Sequence, residues 1–352
     1  GSSLVGSEMC IRDRADLGSL TDVAGIRVGH YDRSNRNWRT GTTVVLAEHP
    51  VTAGVDVRGG GPGTRETDAL SPMNLVDKVD AICLSGGSAY GLRAADGVVD
   101  ELADRERGFR VGPEAHQVVP VIPSAVIFDL GRGGHFRHHP DAEFGRRATR
   151  SASARERRRG SIGAGTGAVA GGLRGGIGMA SATIDIPIGD EKVSNVTIAA
   201  LCVVNARGSL IDPSSGRAWE PHPRLKSPSS ADRQRYAEHV DSVTTASFNT
   251  TIGVVATDAQ IDRSEATRLA MSSHDGLARS IRPVHTLADG DTMFAMATGS
   301  VAIDSLERTL ALSRLSEVAA NVTALACIDA IVHAEPMADM PSYTSLCPSA
   351  LR

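Results

Sequence analysis

Apolar residues along this chain fall in short runs, punctuated by glycine, proline and charged clusters. Residues 20–30 and 41–47 read as two short strands and 51–58 as a third, followed by the tight loop Gly59-Gly60-Gly61-Pro62-Gly63. Residues 81–85 read as a buried strand running into Gly86-Gly87-Ser88-Ala89-Tyr90-Gly91, and helical spacing then predicts a helix to about Ala103. Two apolar stretches in 118–130 are broken by Pro120 and Pro123, the arginine-rich segment 141–159 reads as a solvated helix face, and glycine dominates 160–178. Residues 193–204 are a strong strand ending at Asn205, and 212–242, with four prolines and many charges, reads as an exposed connector. A further apolar strand follows Asn249-Thr250; 264–281 then reads as an amphipathic helix capped by Ser264, 292–298 as a strand and 318–334 as a long apolar helix. Strands in sequential runs with helices packed on them predict a layered α+β fold rather than regular βαβ alternation.

Composition narrows the partners more than the fold. A chain of 352 residues, 41% hydrophobic and 22% charged, fits one large or two medium globular domains. A net charge of −4 makes no case for nucleic acid or a membrane surface, and no run approaches the 18 or so apolar residues of a membrane span. The high glycine count, 37, points to tight turns and close backbone approach. The five cysteines are scattered and never form a CxxC pair; Cys83, Cys202 and Cys327 sit in apolar runs, which predicts buried free thiols in a reducing, cytoplasmic compartment. Residues 1–14 lack a hydrophobic signal core and resemble translated sequencing-adapter read-through, so they read as a non-native leader.

Asn249-Thr250 carries the most chemical information. A threonine hydroxyl is a poor nucleophile without a base, and one available base is its own α-amino group, with an ordinary pKa of about 7.7–8.0. That amine exists only if the preceding bond is cut. The dipeptide lies deep in the chain, opens an apolar run and follows the connector, an arrangement expected to leave a self-cleaved bond on a mobile segment. The plainer alternative is a loop residue starting a buried strand. Asp289-Gly290-Asp291 places two carboxylates ahead of 293–297; they either satisfy a turn through their own hydrogen bonds or orient an ammonium. Other motifs fail on context. Gly163-Ala164-Gly165-Thr166-Gly167-Ala168 does not follow a buried strand as a dinucleotide loop must, and no glycine loop closes on GK[ST]. Ser88 is not in a G-x-S-x-G elbow, because Tyr90 stands where the second glycine belongs. His135, His138 and His139 lack a metal-ligand pattern.

Taken in order, these motifs are similar to those of the self-processing N-terminal-nucleophile peptidases that include L-aminopeptidase/D-esterase, β-peptidyl aminopeptidase and the endo-type 6-aminohexanoate-oligomer hydrolases. The resemblance runs from about Leu20 to Ala334 and rests on residues 20–29, 59–68, 84–92, 163–167 and 175–181, with Asn205, 249–252 and 289–291. It implies a four-layer αββα sandwich, cut before Thr250 into fragments 15–249 and 250–352 that form one domain. It further implies Thr250 as nucleophile, Asn205 on the oxyanion side, and Asp289 and Asp291 as a polar pair near the free amine. The Thr and Asp-Gly-Asp combination is nearer the nylon-oligomer hydrolases than the serine enzymes. Many relatives carry a lysine after the Gly-Thr-Gly loop; here the nearest candidate is Arg174, which cannot act as a neutral base. Tyr90 and Phe128 fall at aromatic positions near the pocket, Phe128 without the hydroxyl some relatives use, and Ser88 falls beside them. No metal or organic cofactor is implied. The expected partners are a small amide or peptide substrate and further copies of the chain, as a tetramer of processed units. Two alternatives share the pattern: an acyl transferase of the ornithine acetyltransferase kind, and an uncut binding module with a dead Thr250.

Overall fold

A computed structural model describes residues 17–188, 192–243, 248–303, 308–337 and 339–352; the 1–14 segment lies outside them. Nine strands form one continuous path of hydrogen bonding. They are β1 (Ile26–Arg33), β2 (Thr40–Val57), β3 (Thr64–Arg65), β4 (Val79–Ser85), β5 (Ser124–Val126), β6 (Gly176–Ile188), β7 (Lys192–Val204), β8 (Ile252–Ala259) and β9 (Thr292–Val301). Their order is β6-β7-β8-β9-β2-β4-β5-β3, with β1 on the free side of β2.

β2 is what turns this path into two stacked sheets. Residues 41–47 and 51–58 are not two strands but parts of one 18-residue strand. Glu48, His49 and Pro50 are exposed between its apolar halves, and the register against β4 slips between Leu46 and Val51. A slip of this kind bends a strand without ending it. The first half of β2 pairs with β1 and β4, while the second half pairs with β9.

Side-chain alternation then assigns every layer. Val45 and Ala47 of β2, Ile82 and Leu84 of β4, Leu201 and Val203 of β7 and Phe294 and Met296 of β9 meet in one core between the sheets. Their neighbours Val44, Leu46, Ala81 and Cys83 face outward onto Ala94, Ala95, Val98 and Leu102 of α1 (Ala94–Ala103), with Ala148 of α2 (Ala142–Arg150) beside them. On the far side, Ala200, Cys202, Val255 and Ala295 face α4 (Arg263–Ser280) and α5 (Arg308–Val332). Three cores separate four layers: the fold is the expected αββα sandwich. Strands buried on both faces read as continuous apolar runs, which is why no alternation was visible in them.

Several elements differ from the sequence reading. Residues 20–22 are a 3₁₀ turn capped by Ser19, so β1 starts only at Ile26. β6 begins at the end of the glycine-rich stretch and was not read as a strand; its Gly178 is needed because α5 packs so closely that a Cβ there would lie 2.0 Å from the Ala326 carbonyl oxygen. The connector contains α3 (Ser230–Ser242), whose Tyr236 is fully buried. Asp262, not Ser264, caps α4, in a reciprocal capping box with Glu265. Among the described residues α5 is long and apolar enough to cross a membrane, yet 89% of its apolar window is buried inside the protein. The arginines of α2 pair with acidic neighbours, Arg146 with Asp100 and Asp104 of α1. Cys83, Cys202, Cys327 and Cys347 are buried free thiols.

Candidate active site

Strand directions bring the distant motifs to one edge. β8 and β9 run parallel with Ile252 opposite Thr292, while β7 and β2 run antiparallel to them with Val203 opposite Ile252 and Val57 opposite Thr292. The ends of β7 and β2 therefore meet the starts of β8 and β9. Asn205, the Gly59–Gly61 loop, Asn249-Thr250 and the Asp289–Asp291 turn converge there.

The backbone locks these segments together. The Thr250 N–H donates to the Asn205 carbonyl at 2.6 Å, Asn249 N–H to the Ala288 carbonyl at 3.0 Å, and Gly61 N–H to the Asp289 carbonyl at 2.8 Å. Asn249 and Thr250 are each only 4% exposed, so the bond between them is not on a mobile segment. The buried strand start behind it fixes its geometry.

The Thr250 hydroxyl is held between two partners. It donates to the Asn249 carbonyl oxygen and accepts from the Gly290 N–H at 3.1 Å. Gly290, read in the sequence only as the spacer between two aspartates, is the group of that turn which touches the Thr250 hydroxyl. The carboxylates themselves are occupied one residue further out. Asp291 Oδ1 accepts from Thr251 N–H at 2.7 Å, and its Oδ2 accepts from the His285 backbone N–H at 3.1 Å and ring Nδ1 at 2.8 Å. Asp289 accepts from Arg207 N–H at 3.1 Å and from the Thr286 hydroxyl; burial raises its carboxyl above the usual range, and the nearby Asp291 charge adds to this. These contacts are those of the turn reading: the pair holds the backbone that presents Gly290.

Asn205 lies at the site through both backbone and side chain. Its Oδ1 accepts from Arg132 and from Val169 N–H at 3.0 Å, and its Nδ2 donates one hydrogen to the Phe128 carbonyl at 3.3 Å. An amide nitrogen carries two hydrogens, so one remains for a ligand. Arg132 was not singled out from the sequence. It also donates to the Phe248 carbonyl at 2.7 Å and to Asn249 Oδ1 at 3.3 Å, gripping both residues before the Thr250 bond. Its only signal was a charge among glycines after the apolar run that ends at Leu130.

Phe128 and Ser88 line a cavity of about 340 Å³ with Thr250, and Ser88 holds a left-handed backbone at φ 52°. Tyr90 is instead half exposed, stacked on His139 at 4.9 Å and outside the cavity lining. Arg174 is also elsewhere: its guanidinium binds the Thr166 carbonyl at 2.7 Å, the Ala168 carbonyl at 3.2 Å and Ser161 Oγ at 3.0 Å. It braces the Gly163–Gly165 turn from behind and makes no hydrogen bond to Thr250. The histidines 135, 138 and 139 stay at or near the surface, His138 stacked on Trp38 at 4.4 Å.

Asp129, behind Ser88, adds a pH dependence. Its Oδ1 accepts from Gly87 N–H at 2.7 Å, and burial pushes its carboxyl up to about 6 against neighbouring donors and the Arg132 charge. A raised folded-state pKa means that the fold holds the proton more tightly than the unfolded chain. This contribution is full below about pH 4 and is lost as pH rises through about 6. Asp129→Asn keeps the acceptor without the charge. Its melting temperature is expected to exceed that of the parent at about pH 7.5, with the gap closing towards pH 5; a gap independent of pH would refute the assignment.

Residues 18–344 match peptidase family S58. The chain belongs to peptidase family S58. It is 42% identical to an uncharacterized aminopeptidase of Mycobacterium tuberculosis, over 95% of this chain and 99% of that protein. It is 32% identical to a 6-aminohexanoate-oligomer endohydrolase of Paenarthrobacter ureafaciens, over 87% of this chain and 81% of that one. Among solved structures, a Burkholderia β-aminopeptidase superposes with a TM-score of 0.69 at 22% identity, covering 95% of this chain and 93% of its own. The L-aminopeptidase D-Ala-esterase/amidase of Ochrobactrum anthropi, described as a variant of the Ntn hydrolase fold, matches with TM-score 0.69 at 21% identity, over 91% and 87%. The S58 chain is therefore a hydrolase with an Ntn-type fold.

Proposed function

We propose that this S58 hydrolase is a self-processing N-terminal-threonine amidase. It would act on short peptides, amino-acid amides or ω-amino-acid oligomers. The reading rests on one observation: the Thr250 hydroxyl lies against the carbonyl oxygen of the residue before it, held by the Gly290 N–H. Attack of Oγ on the Asn249 carbonyl carbon breaks the Asn249–Thr250 amide and forms an ester, and the hydroxyl proton passes to the departing nitrogen. Water then cleaves the ester, leaving a carboxylate on Asn249 and a free α-amine on Thr250. In turnover that amine takes the hydroxyl proton, Oγ attacks the substrate carbonyl, and the spare Asn205 amide hydrogen meets the oxyanion. A donor of this kind contributes about 3–4 kcal/mol in comparable sites. The amine protonates the leaving group, and water releases the acyl-enzyme. The aminopeptidase and endohydrolase names of the relatives support an amide substrate.

Processing is tested directly by denaturing gel and intact-mass analysis of freshly purified active protein. Two species meeting at Asn249/Thr250 are expected. An active enzyme that remains one uncut chain would refute the reading.

A further inference from the structure

We infer that the acyl residue of the substrate is recognised by a cationic subsite built around Arg132, so that the mature enzyme favours acyl residues bearing a carboxylate or carboxamide side chain. The inference rests on the amidase reading above and treats Asn249 as the first substrate the chain meets.

Asn249 stands between two cavities. Among the described residues, the one containing Thr250 is lined by no ionisable side chain. The other, about 280 Å³, is lined by Arg132, Arg207 and His239, with Asp339 as the acid among the described residues. The Asn249 side chain is read by the second: Oδ1 accepts from Arg132 at 3.3 Å, and Nδ2 donates to the Val169 carbonyl at 3.1 Å. Both partners belong to that cavity's wall. Its backbone N–H is read separately, by the Ala288 carbonyl beside Thr250.

Once the bond is cut and Asn249 withdraws, a substrate carbonyl that Thr250 can attack takes the place of the Asn249 carbonyl. The α-ammonium of an N-terminal residue then donates to the Ala288 carbonyl, and its side chain enters the basic cavity. Arg132, which burial pushes down only to about 10, stays cationic at neutral pH. Nη2 of Arg132, which donates to both Phe248 and Asn249 in the uncut chain, then meets the incoming carboxylate or carboxamide oxygen through a charge-assisted hydrogen bond. Arg207 adds charge from an exposed rim, where its guanidinium has no hydrogen-bond or ion-pair partner among the described residues. A carboxamide repeats both side-chain contacts of Asn249, a carboxylate repeats the one to Arg132, a leucine repeats neither, and a lysine meets like charge.

The test compares kcat/KM of the purified, processed enzyme on the p-nitroanilides of aspartate, asparagine, leucine and lysine. The aspartyl and asparaginyl substrates are expected to exceed leucyl by at least about tenfold, the discrimination a site built for a polar group exerts against an apolar one, with lysyl lowest. Arg132 also holds Asn205, so the informative variant is Arg207→Gln, expected to cut the aspartyl-to-leucyl ratio several-fold with no change in melting temperature. Leucyl turnover equal to aspartyl and asparaginyl overturns the subsite and leaves the amidase reading standing. Failure of the processed enzyme on all four also overturns the subsite, while the amidase reading is decided separately by the cut at Asn249/Thr250 seen by intact mass.

Discussion

Thr250→Ala is expected to leave a single full-length chain on a denaturing gel and to lower amide turnover by at least about 10³-fold, the scale of losing a nucleophile. The substitution removes the one atom placed against the Asn249 carbonyl, and no freed amine forms to act as base. The fold should survive it. The lost contacts are a hydrogen bond to a carbonyl and one from Gly290 N–H, worth about 1 kcal/mol each in stability. Thr250→Ser keeps the hydroxyl but not the branched Cβ that restricts its rotamer, so slower cleavage with partial activity is expected. Measured by intact mass and initial rates, substantial turnover in Thr250→Ala would move the nucleophile elsewhere. Ser88, in the same cavity, would then be examined first.

Gly290→Ala is expected to impair both cleavage and turnover by about 10²-fold, the usual cost of misplacing a reacting group by an ångström. A Cβ at this position would lie 2.6 Å from the Gly61 carbonyl oxygen, 2.9 Å from Pro62 Cα and 3.0 Å from Thr250 Oγ. Two of these are main-chain atoms of a loop tied to the same turn, so the turn itself must move and draw its N–H away from the hydroxyl. A slowed appearance of the two fragments, together with a melting temperature only a few degrees lower, is the expected result. Unchanged processing would show that the Gly290 contact does not position the nucleophile.

The αββα layering was legible because whole motifs resembled a known family, not because periodicity revealed it. Strands such as β7 and β8, apolar on both faces, carry no alternation from which a sheet face could be read. Thr250, Asn205, Asp289 and Asp291 do gather at one edge. What the sequence could not show was which atoms touch. The Asp-Gly-Asp motif drew attention to its charges, whereas the contact to Thr250 comes from the backbone of its glycine, a group every residue possesses. Arg132 lies 118 positions before Thr250 and meets Asn249 only through tertiary folding. Arg174 and Tyr90 illustrate the converse error. Each aligned with a pocket position, yet one side chain turns into the turn behind the site and the other onto the surface.

The position of β8 and β9 decides what the proposed cut would do to the molecule. Both belong to the segment after Thr250, yet they are threaded between β7 and β2, which precede it. The proposed cleavage would therefore nick the chain without separating the pieces, since parting them would strip the middle from a sheet buried on both faces. An uncut chain would fold at a rate independent of concentration. A denatured processed enzyme would instead have to reassemble from two polypeptides that share the β7–β8 and β9–β2 pairings, so its recovery should fall steeply on dilution. Maturation by such a cut would be a one-way step, after which the enzyme would depend on slow unfolding rather than on ready refolding.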